Sequence, residues 1–309
     1  MLISDWCKIK IKHLLLKILY AKHDGIRKFS GEYPWVDPQF QNGDVIFTHG
    51  GGIGDILFSL YFCKELSEFC GKSAIHYHIL TNTYDPKSRT GYNSGVSRSV
   101  ADFLQPLLAS QPYITQVICD APPAGNVVEL NDFRKLKINF YSGDIRNWYY
   151  NLTQHHLPRE FWKPVIFAEP DFTYRGKVII CLTPRYRNVN IDCRKLEPFR
   201  KYLIFAGIQP EYEDFKKEFF EIPFLKCENM LQLAQYMAGA KGFIGNQSGI
   251  YSLAECMKLP RILLAPDFVD LNGVVIPGPH NNHPQGGWCE SVSSTEKMIA
   301  AVTALLSKE

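Results

Sequence analysis

Short apolar runs alternate with amphipathic stretches along most of this chain of 309 residues. The apolar runs predict strands at Val45–Thr48, Ile75–Leu80, Gln116–Cys119, Val178–Leu182, Tyr202–Ala206, Gly242–Gly245 and Arg261–Ala265. Apolar residues at helical spacing predict helices near 56–69, 98–109, 211–219, 229–238, 250–257 and 295–306. Strands that alternate with helices favour parallel sheets, so the pattern predicts an α/β protein.

The length of the chain is sufficient for two domains, each with its own core. Both halves repeat a plan of strand, loop and helix. Residues 158–176 contain Pro158, Pro164 and Pro170 and show no clear period, which is typical of a linker. We therefore expect a leading segment over residues 1–40, an N-terminal domain over 41–170 and a C-terminal domain over 171–309.

A glycine-rich loop separates the first predicted strand from the first helix. Residues 44–57 read DVIFTHGGGIGDIL. Glycine permits positive φ and close approach of backbone to a ligand, which makes Gly51, Gly52 and Gly54 candidate site residues. The usual dinucleotide signature would place a glycine where Asp55 stands. The alternative is a tight turn in which Asp55 caps the helix.

A second loop of small and polar residues lies late in the chain. Residues 243–260 read FIGNQSGIYSLAECMKLP, an apolar strand, a tight loop and a helix. The first-turn amides of a helix lack intrahelical partners and carry partial positive charge. Ser248 and Gly249 beside such a helix start would therefore suit a phosphate group. An ordinary strand-to-helix turn is the alternative.

The composition and motif content of the chain argue against several classes of protein. The chain is 46% hydrophobic and 21% charged with a net charge of +3, values typical of a globular protein without an extended basic surface for nucleic acid. Its nine cysteines are scattered and form no Cys-x-x-Cys pair, which favours reduced thiols and a cytoplasmic location. The histidines lack metal-ligand spacing, and isolated carboxylates such as Asp144 and Asp192 are expected to cap helices or face solvent. No Gly-x-Ser-x-Gly elbow is present, which argues against serine hydrolysis.

Together the two loops resemble the heptosyltransferase family of glycosyltransferases. In that family a small-residue loop ends in Gly-Asp, as at Gly54-Asp55 here. Its C-terminal half carries Ala-Gly-Ala, a loop of the form Gly-x-Asp-Ser/Thr-Gly and a later x-Pro before a strand. The counterparts here are Ala238–Ala240, Gly245–Gly249 and Leu259-Pro260. The resemblance touches most of residues 44–266 and implies the GT-B fold, two Rossmann-like domains with parallel sheets facing across a cleft.

The resemblance implies inverting, metal-independent transfer of a sugar from a nucleotide diphosphate donor to a glycan or lipid-linked glycan, without a cofactor. The N-terminal domain would hold the acceptor, with Asp55 as general base, and the C-terminal domain the donor. The implied donor-binding residues of the second loop are Asn246, Gln247, Ser248, Gly249 and Tyr251. Asn246 or Gln247 stands where the family has Asp, and Tyr251 where it commonly has His, so the sugar is left open.

A third loop, Thr183-Pro184-Arg185-Tyr186-Arg187, follows the first predicted strand of the C-terminal domain. The family has a polar, basic loop that contacts the diphosphate at this place. Without a metal ion, cationic or amide groups must stabilise the departing diphosphate. The planar fork of arginine suits bidentate contacts with phosphate, which makes Thr183, Arg185 and Arg187 candidate donor-binding residues. A solvated loop with surface arginines is the alternative.

Residues 6–22 combine one apolar face with flanking lysines, the pattern of a helix lying on a membrane surface. Such a helix would place the enzyme peripherally on the inner face of the membrane, close to a lipid-linked acceptor. A helix packed on the protein's own surface fits the pattern equally well.

Two other functions remain open at this point. A sugar-nucleotide epimerase would use the same cleft but needs several convergent acid–base groups, whereas Asp55 is the one good candidate here. The second alternative is a relative that binds nucleotide sugars without catalysis. It remains open because this chain has Asn246 or Gln247 where the family loop has an acidic residue.

Overall fold

A computed structural model gives the protein's structure. It describes residues 45–71, 75–81, 95–121, 125–135, 144–153, 156–184, 186–265, 268–270, 275–277 and 284–308. The predicted leading segment 1–40, including the candidate membrane-contacting residues 6–22, lies outside the described residues, as does Arg185. No helix within these ranges is long and apolar enough to cross a bilayer.

The N-terminal half is built on a four-stranded parallel sheet of order β3-β2-β1-β4. Its strands are β1 (Val45–His49), β2 (Ile75–Ile79), β3 (Ile114–Cys119) and β4 (Asn126–Glu129). Its helices are α1 (Ile53–Phe69), α2 (Arg98–Ala109) and the short α3 (Arg146–Tyr149), with 3-10 turns at Leu130–Lys135 and Tyr150–Leu152. The parallel arrangement agrees with the alternation of strands and helices in the sequence.

The C-terminal half is built on a five-stranded parallel sheet of order β11-β8-β7-β5-β6. Its strands are β5 (Val178–Cys181), β6 (Leu203–Phe205), β7 (Gly242–Gly245), β8 (Arg261–Leu264) and β11 (Cys289–Val292). Two short strands outside this sheet, β9 (Phe268–Asp270) and β10 (Val275–Pro277), pair with each other antiparallel. Its helices are α4 (Gln209–Glu218), α5 (Met230–Gly239), α6 (Gly249–Met257) and α7 (Thr295–Ser307), with 3-10 stretches at Phe172–Tyr174 and Cys193–Tyr202.

Helix α1 lies at the centre of the molecule. Eleven of its 17 residues are buried, and its exposed residues, Glu68 and Phe69, lie in its last turn, whereas an amphipathic surface helix keeps a solvent-facing side along its whole length. One side packs on the N-terminal sheet and another on α6 of the C-terminal half, while α2 packs on α5. A single apolar cluster consequently draws side chains from both halves.

The stretch predicted as a linker is an extended segment pinned to both halves. Tyr61 donates a hydrogen bond to the carbonyl of Lys163 at 2.9 Å, and Tyr113 donates to that of Val165 at 2.6 Å. On the other side, the amide of Val165 donates to the carbonyl of Cys256 at 2.9 Å. The segment therefore fastens the halves together.

Candidate active site

The two loops singled out in the sequence lie side by side. A Cβ built on Gly54 would be 2.8 Å from Ser252 Oγ, and one built on Gly249 would be 2.9 Å from Ile53 Cγ2. Further along, the Cys256 thiol donates to the carbonyl of Leu57 at 3.6 Å. This order of contacts means that α1 and α6 run parallel, with their N-termini at the same place.

The glycines of these loops serve close packing. Gly52 has φ −69°, and Gly51 and Gly54 also lie outside the left-handed region, so this loop does not use the positive φ that glycine permits. A Cβ on Gly51 would be 2.4 Å from the His49 ring and 2.9 Å from Asp55 Oδ2. Small residues here let the loop fold onto His49 and let the two helices approach each other.

Asp55 occupies the third position of α1 and is half-buried. Its carboxylate accepts the amide of Gly52 at 3.3 Å, which closes the first turn of the helix. The capping role inferred as an alternative from the sequence is therefore realised, from the third helical position. The carboxylate lies at the start of α1, beside the start of α6.

Two aromatic side chains that the sequence did not single out support this loop. His49 ends β1 and is fully buried, and its Nδ1 accepts the amide of Gly51 at 2.8 Å. Its Nε2 lies 2.9 Å from the hydroxyl of Tyr149, which donates to the carbonyl of Asp55 at 2.9 Å. Both ends of the turn from Gly51 to Asp55 are thereby tied to one pair of side chains.

The C-terminal sheet has its topological switch point between β5 and β7, because the chain leaves β5 for β6 on one side and later returns to the other. Ligands in open α/β sheets bind at such crevices. Thr183 follows β5 and Asn246 follows β7. Asn246 Oδ1 accepts the amide of Thr183 at 3.0 Å, and its Nδ2 donates to the carbonyl of Thr183 at 2.9 Å. Asn246 thus holds the two loops together, a task that needs both an acceptor and a donor.

The next residues of this loop differ in their surroundings. Gln247 is 6% exposed, and its buried Nε2 has no hydrogen-bond partner among the described residues. Ser248 caps α6 by accepting the amide of Tyr251 at 3.1 Å. Tyr251 itself is fully buried against Phe243, so its side chain lies in the core beneath the loop.

Arg187 lies beside the switch point. Its Nε donates to the carbonyl of Thr183 at 3.2 Å, and its guanidinium pairs with Glu218 of α4. A cavity of about 440 Å³ adjoins it. The residues that line this cavity are Pro184, Arg187, Asp214, Lys217 and Glu218.

A carboxylate that the sequence did not single out lies at the same edge of the sheet. Glu211 stands at the start of α4, just after β6, and accepts the amide of Ile208 at 3.3 Å. Burial raises the pKa of the Glu211 carboxyl, while the Ile208 amide and the charge of Arg187 act in the opposite direction. The signal in the sequence was an acidic residue soon after the second strand of a Rossmann-like domain, the place where such folds bind a ribose.

A buried cluster of charges lies at the opposite end of α6. The Glu255 carboxylate accepts from Arg146 Nη1 at 2.7 Å, Lys258 Nζ at 2.6 Å and Arg261 Nε at 2.5 Å. Arg146 also donates through Nε to Asp144 at 2.7 Å. Asp144 caps α3 as the sequence predicted, because its carboxylate accepts the Arg146 amide at 2.9 Å, but its side chain is only 5% exposed and is also paired with the Arg146 guanidinium. Burial lowers the pKa of Lys258 to about 8, against the attraction of Glu255.

No group of three or more His, Cys, Asp or Glu side chains within the described ranges is arranged to hold a metal ion. Metal independence stays a prediction.

Two parallel α/β sheets joined through a central helix pair, with strand-end loops meeting between them, define the GT-B class of fold. The chain is similar to the glycosyl transferase family 9 structure from Veillonella parvula, at 12% identity and a TM-score of 0.55, covering 86% of this chain and 97% of that one. It is also similar to the E. coli heptosyltransferase WaaC with ADP, at 10% identity and a TM-score of 0.52, covering 85% of this chain and all of that one. No family model and no curated protein sequence matches the chain. The GT-B fold and the resemblance to heptosyltransferases are confirmed at the level of the fold.

Proposed function

We propose that this protein is an inverting glycosyltransferase that moves a sugar from a nucleotide diphosphate donor to a glycan or glycolipid acceptor without a metal ion. The observation that carries the proposal is the meeting of the α1 and α6 N-termini next to the switch point of the C-terminal sheet.

The helix starts supply the electrostatics. Each N-terminus carries the equivalent of roughly half a positive charge, and parallel helices bring two such ends together. The Asp55 carboxylate offsets the positive end of α1, so the start of α6 is the end that would attract an anion, and the meeting of the two ends places that anion beside Asp55. The buried Gln247 Nε2 adds a donor at the start of α6, where the amides of Ser248 and Gly249 also lie. This combination fits the diphosphate of a nucleotide sugar.

The surrounding loops fit the rest of the donor. The guanidinium of Arg187, with that of Arg185, would stabilise the charge that develops on the departing diphosphate through charge-assisted hydrogen bonds. The half-buried carboxylate of Glu211 would accept hydrogen bonds from ribose hydroxyls, as acidic residues at this place do in nucleotide-binding sheets.

Asp55 would act on the acceptor. Its carboxylate takes the proton of the acceptor hydroxyl while that oxygen attacks the anomeric carbon from the face opposite the diphosphate. The bond from that carbon to the diphosphate breaks, so the configuration inverts. A positioned proton acceptor typically contributes on the order of 10²–10⁴-fold to the rate.

The donor site is tested with nucleoside diphosphates and the corresponding nucleosides, by thermal shift and calorimetry. A ligand at a hundredfold excess over its Kd stabilises the fold by about 2.7 kcal/mol. Ser248→Ala should weaken diphosphate binding by about 0.5–1.5 kcal/mol, or up to about 3 if the hydroxyl bonds a charged oxygen. Ser294→Ala is the matched control, because Ser294 caps α7 in the same way, accepting the amide of Lys297 at 3.3 Å. A diphosphate that binds no tighter than its nucleoside would contradict the proposal.

The chemical step is tested with Asp55→Asn. This variant should lose transfer but keep its affinity for the nucleoside diphosphate. Product analysis with a single nucleotide sugar separates transfer from epimerisation. Binding without transfer or donor hydrolysis in a broad acceptor screen would leave the chain as a non-catalytic relative.

A further inference from the structure

We propose that His49 and Tyr149 are positioning residues, which hold the loop from Gly51 to Asp55 through a neutral imidazole that carries its proton on Nε2. The inference rests on the proposed function in one respect, namely that Asp55 is the group being positioned for proton transfer.

The hydrogen bonds determine the tautomer. Nδ1 of His49 accepts the Gly51 amide at 2.8 Å, so Nδ1 carries no proton. A neutral ring then has its proton on Nε2, which faces the Tyr149 oxygen at 2.9 Å. The Tyr149 hydroxyl in turn donates to the carbonyl of Asp55 at 2.9 Å. The three hydrogen bonds therefore all run in one direction: Gly51 donates to His49, His49 to Tyr149, and Tyr149 to the Asp55 carbonyl.

The other protonation states of His49 do not fit the same geometry. A proton on Nδ1 would face the amide proton of Gly51, and an imidazolium would do so as well. The ring is fully buried, so a charge there would also lack water. The loop can therefore keep its position only while the imidazole is neutral with Nε2 protonated.

Packing leaves the pair little freedom to shift. The rings of His49 and Tyr149 meet edge to face at 5.7 Å between centroids, and Phe133 meets Tyr149 at 4.9 Å. On the loop side, any side chain at Gly51 would collide with the imidazole, 2.4 Å from its Cε1. The peptide of Asp55 is thus held by a rigid aromatic support.

The support is also anchored to the C-terminal half. Tyr149 ends α3, and Arg146, one turn earlier on the same helix, donates to Glu255 of α6 at 2.7 Å. Helix α3 therefore connects Asp55, on the acceptor side, to the helix whose N-terminus would bind the donor. The position of Asp55 relative to the donor site is set through this connection.

The test uses Tyr149→Phe, which removes one hydroxyl and keeps the ring. Tyr149→Phe removes both bonds of the hydroxyl, of which the bond to the Asp55 carbonyl positions the carboxylate. We expect kcat for release of nucleoside diphosphate from the nucleotide sugar found in the binding screen, with water as acceptor, to fall about 3- to 10-fold, the range for loss of that one neutral hydrogen bond. KM for the donor should stay unchanged. Tyr77→Phe is the matched control, because Tyr77 is also buried and its hydroxyl bonds Ser59 of α1 at 2.9 Å, away from the loop.

Two further measurements separate positioning from stability. Asp55→Asn should lower the rate of nucleoside diphosphate release by on the order of 10²–10⁴-fold, and Tyr149→Phe should cause no additional loss of the residual rate in that background. In the wild-type protein, ¹⁵N NMR of labelled histidine should show His49 neutral and protonated on Nε2, and exchange of the Gly51 amide should be faster in Tyr149→Phe than in Tyr77→Phe.

Each outcome decides the proposal. It is overturned if kcat is unchanged in Tyr149→Phe, if Tyr77→Phe loses as much, or if the loss persists in full without the Asp55 carboxylate. A His49 ring protonated on Nδ1 overturns it whatever the activity. A wild-type protein that turns over no nucleotide sugar refutes the proposed function instead, and the tautomer and amide exchange then decide whether the pair holds the loop.

Discussion

Arg146→Met should destabilise the protein strongly, because it removes the link between two buried carboxylates. Arg146 is fully buried, and it bonds Asp144 and Glu255, whose side chains are 5% and 0% exposed. Its guanidinium carbon also lies 4.9 Å from the centroid of the Phe161 ring. Methionine keeps an unbranched apolar stem among these rings but leaves Asp144 without its arginine. Breaking a buried ion pair in this way costs about 3–5 kcal/mol.

That loss is a large part of the roughly 5–15 kcal/mol by which folded domains are stable. It corresponds to a fall in Tm of roughly 6–20 °C, at about 2–4 °C per kcal/mol for a protein of this order of size. Urea unfolding followed by fluorescence measures the loss in the free energy of unfolding, and thermal unfolding measures the fall in Tm. Arg194→Met is the matched control, because Arg194 pairs with Asp192 at 2.8 Å but its side chain is 70% exposed. An exposed pair of this kind contributes at most about 1 kcal/mol.

A second variant checks the physical reason. If an uncompensated charge causes the loss, adding Asp144→Asn to Arg146→Met should recover part of the stability, although one more ionic partner has been removed. Equal losses for Arg146→Met and Arg194→Met, or a double variant less stable than the single one, would refute the reasoning.

Two further outcomes follow from single side chains. Burial lowers the pKa of Lys258 to about 8 from its ordinary 10.5. Between these pH values the unfolded chain binds more protons than the folded protein, so the free energy of unfolding rises with pH. Urea unfolding across this range should show a smaller rise in Lys258→Met, and an equal rise in both proteins would contradict the lowered pKa of Lys258. Asn246→Asp keeps the size of the side chain but removes the donor to the Thr183 carbonyl, so it should lower the free energy of unfolding by about 1–3 kcal/mol in thermal unfolding. The exposed Asn190→Asp should change it little, and equal effects would show that the bond to Thr183 is unimportant.

The sequence predicted the main strands well because each is a continuous apolar run, as central parallel strands require. It missed β4 and β11, which are edge strands of four residues with little apolar signal. Such strands are stabilised by pairing with a neighbour, and the neighbour's position is not encoded within the strand itself.

The loops were predicted as candidate sites, but the physical roles of several residues were not. Asn246 bonds the backbone of Thr183, which lies 63 residues earlier in the chain, a role that the sequence did not indicate, and its contact with the donor stays a prediction. The glycines were explained by close approach of the backbone to a ligand, but the sequence did not show that Gly54 and Gly249 also pack against the opposite half. Long-range contacts decided these roles, and a single sequence contains no direct record of them.

The buried cluster of charges around Glu255 could not be predicted from the sequence for a related reason. Arg146 and Glu255 are 109 residues apart, and neither was predicted to be a site residue. Charged residues are usually exposed, so a solvated position was the reasonable expectation. Tyr149 and His49 escaped notice in the same way, since their partnership depends on how α3 returns to the end of β1.

The central position of α1 also affects how the protein is synthesised. Its partner α6 begins at Gly249, 196 residues after Ile53. At roughly 5–20 residues per second, translation takes about 10–40 s to supply that partner. Throughout this interval the nascent N-terminal half carries an apolar helix face with nothing to cover it. We expect ribosome-bound chains that stop before residue 249 to recruit a chaperone, and longer chains, from which α6 has emerged outside the ribosome, to release it.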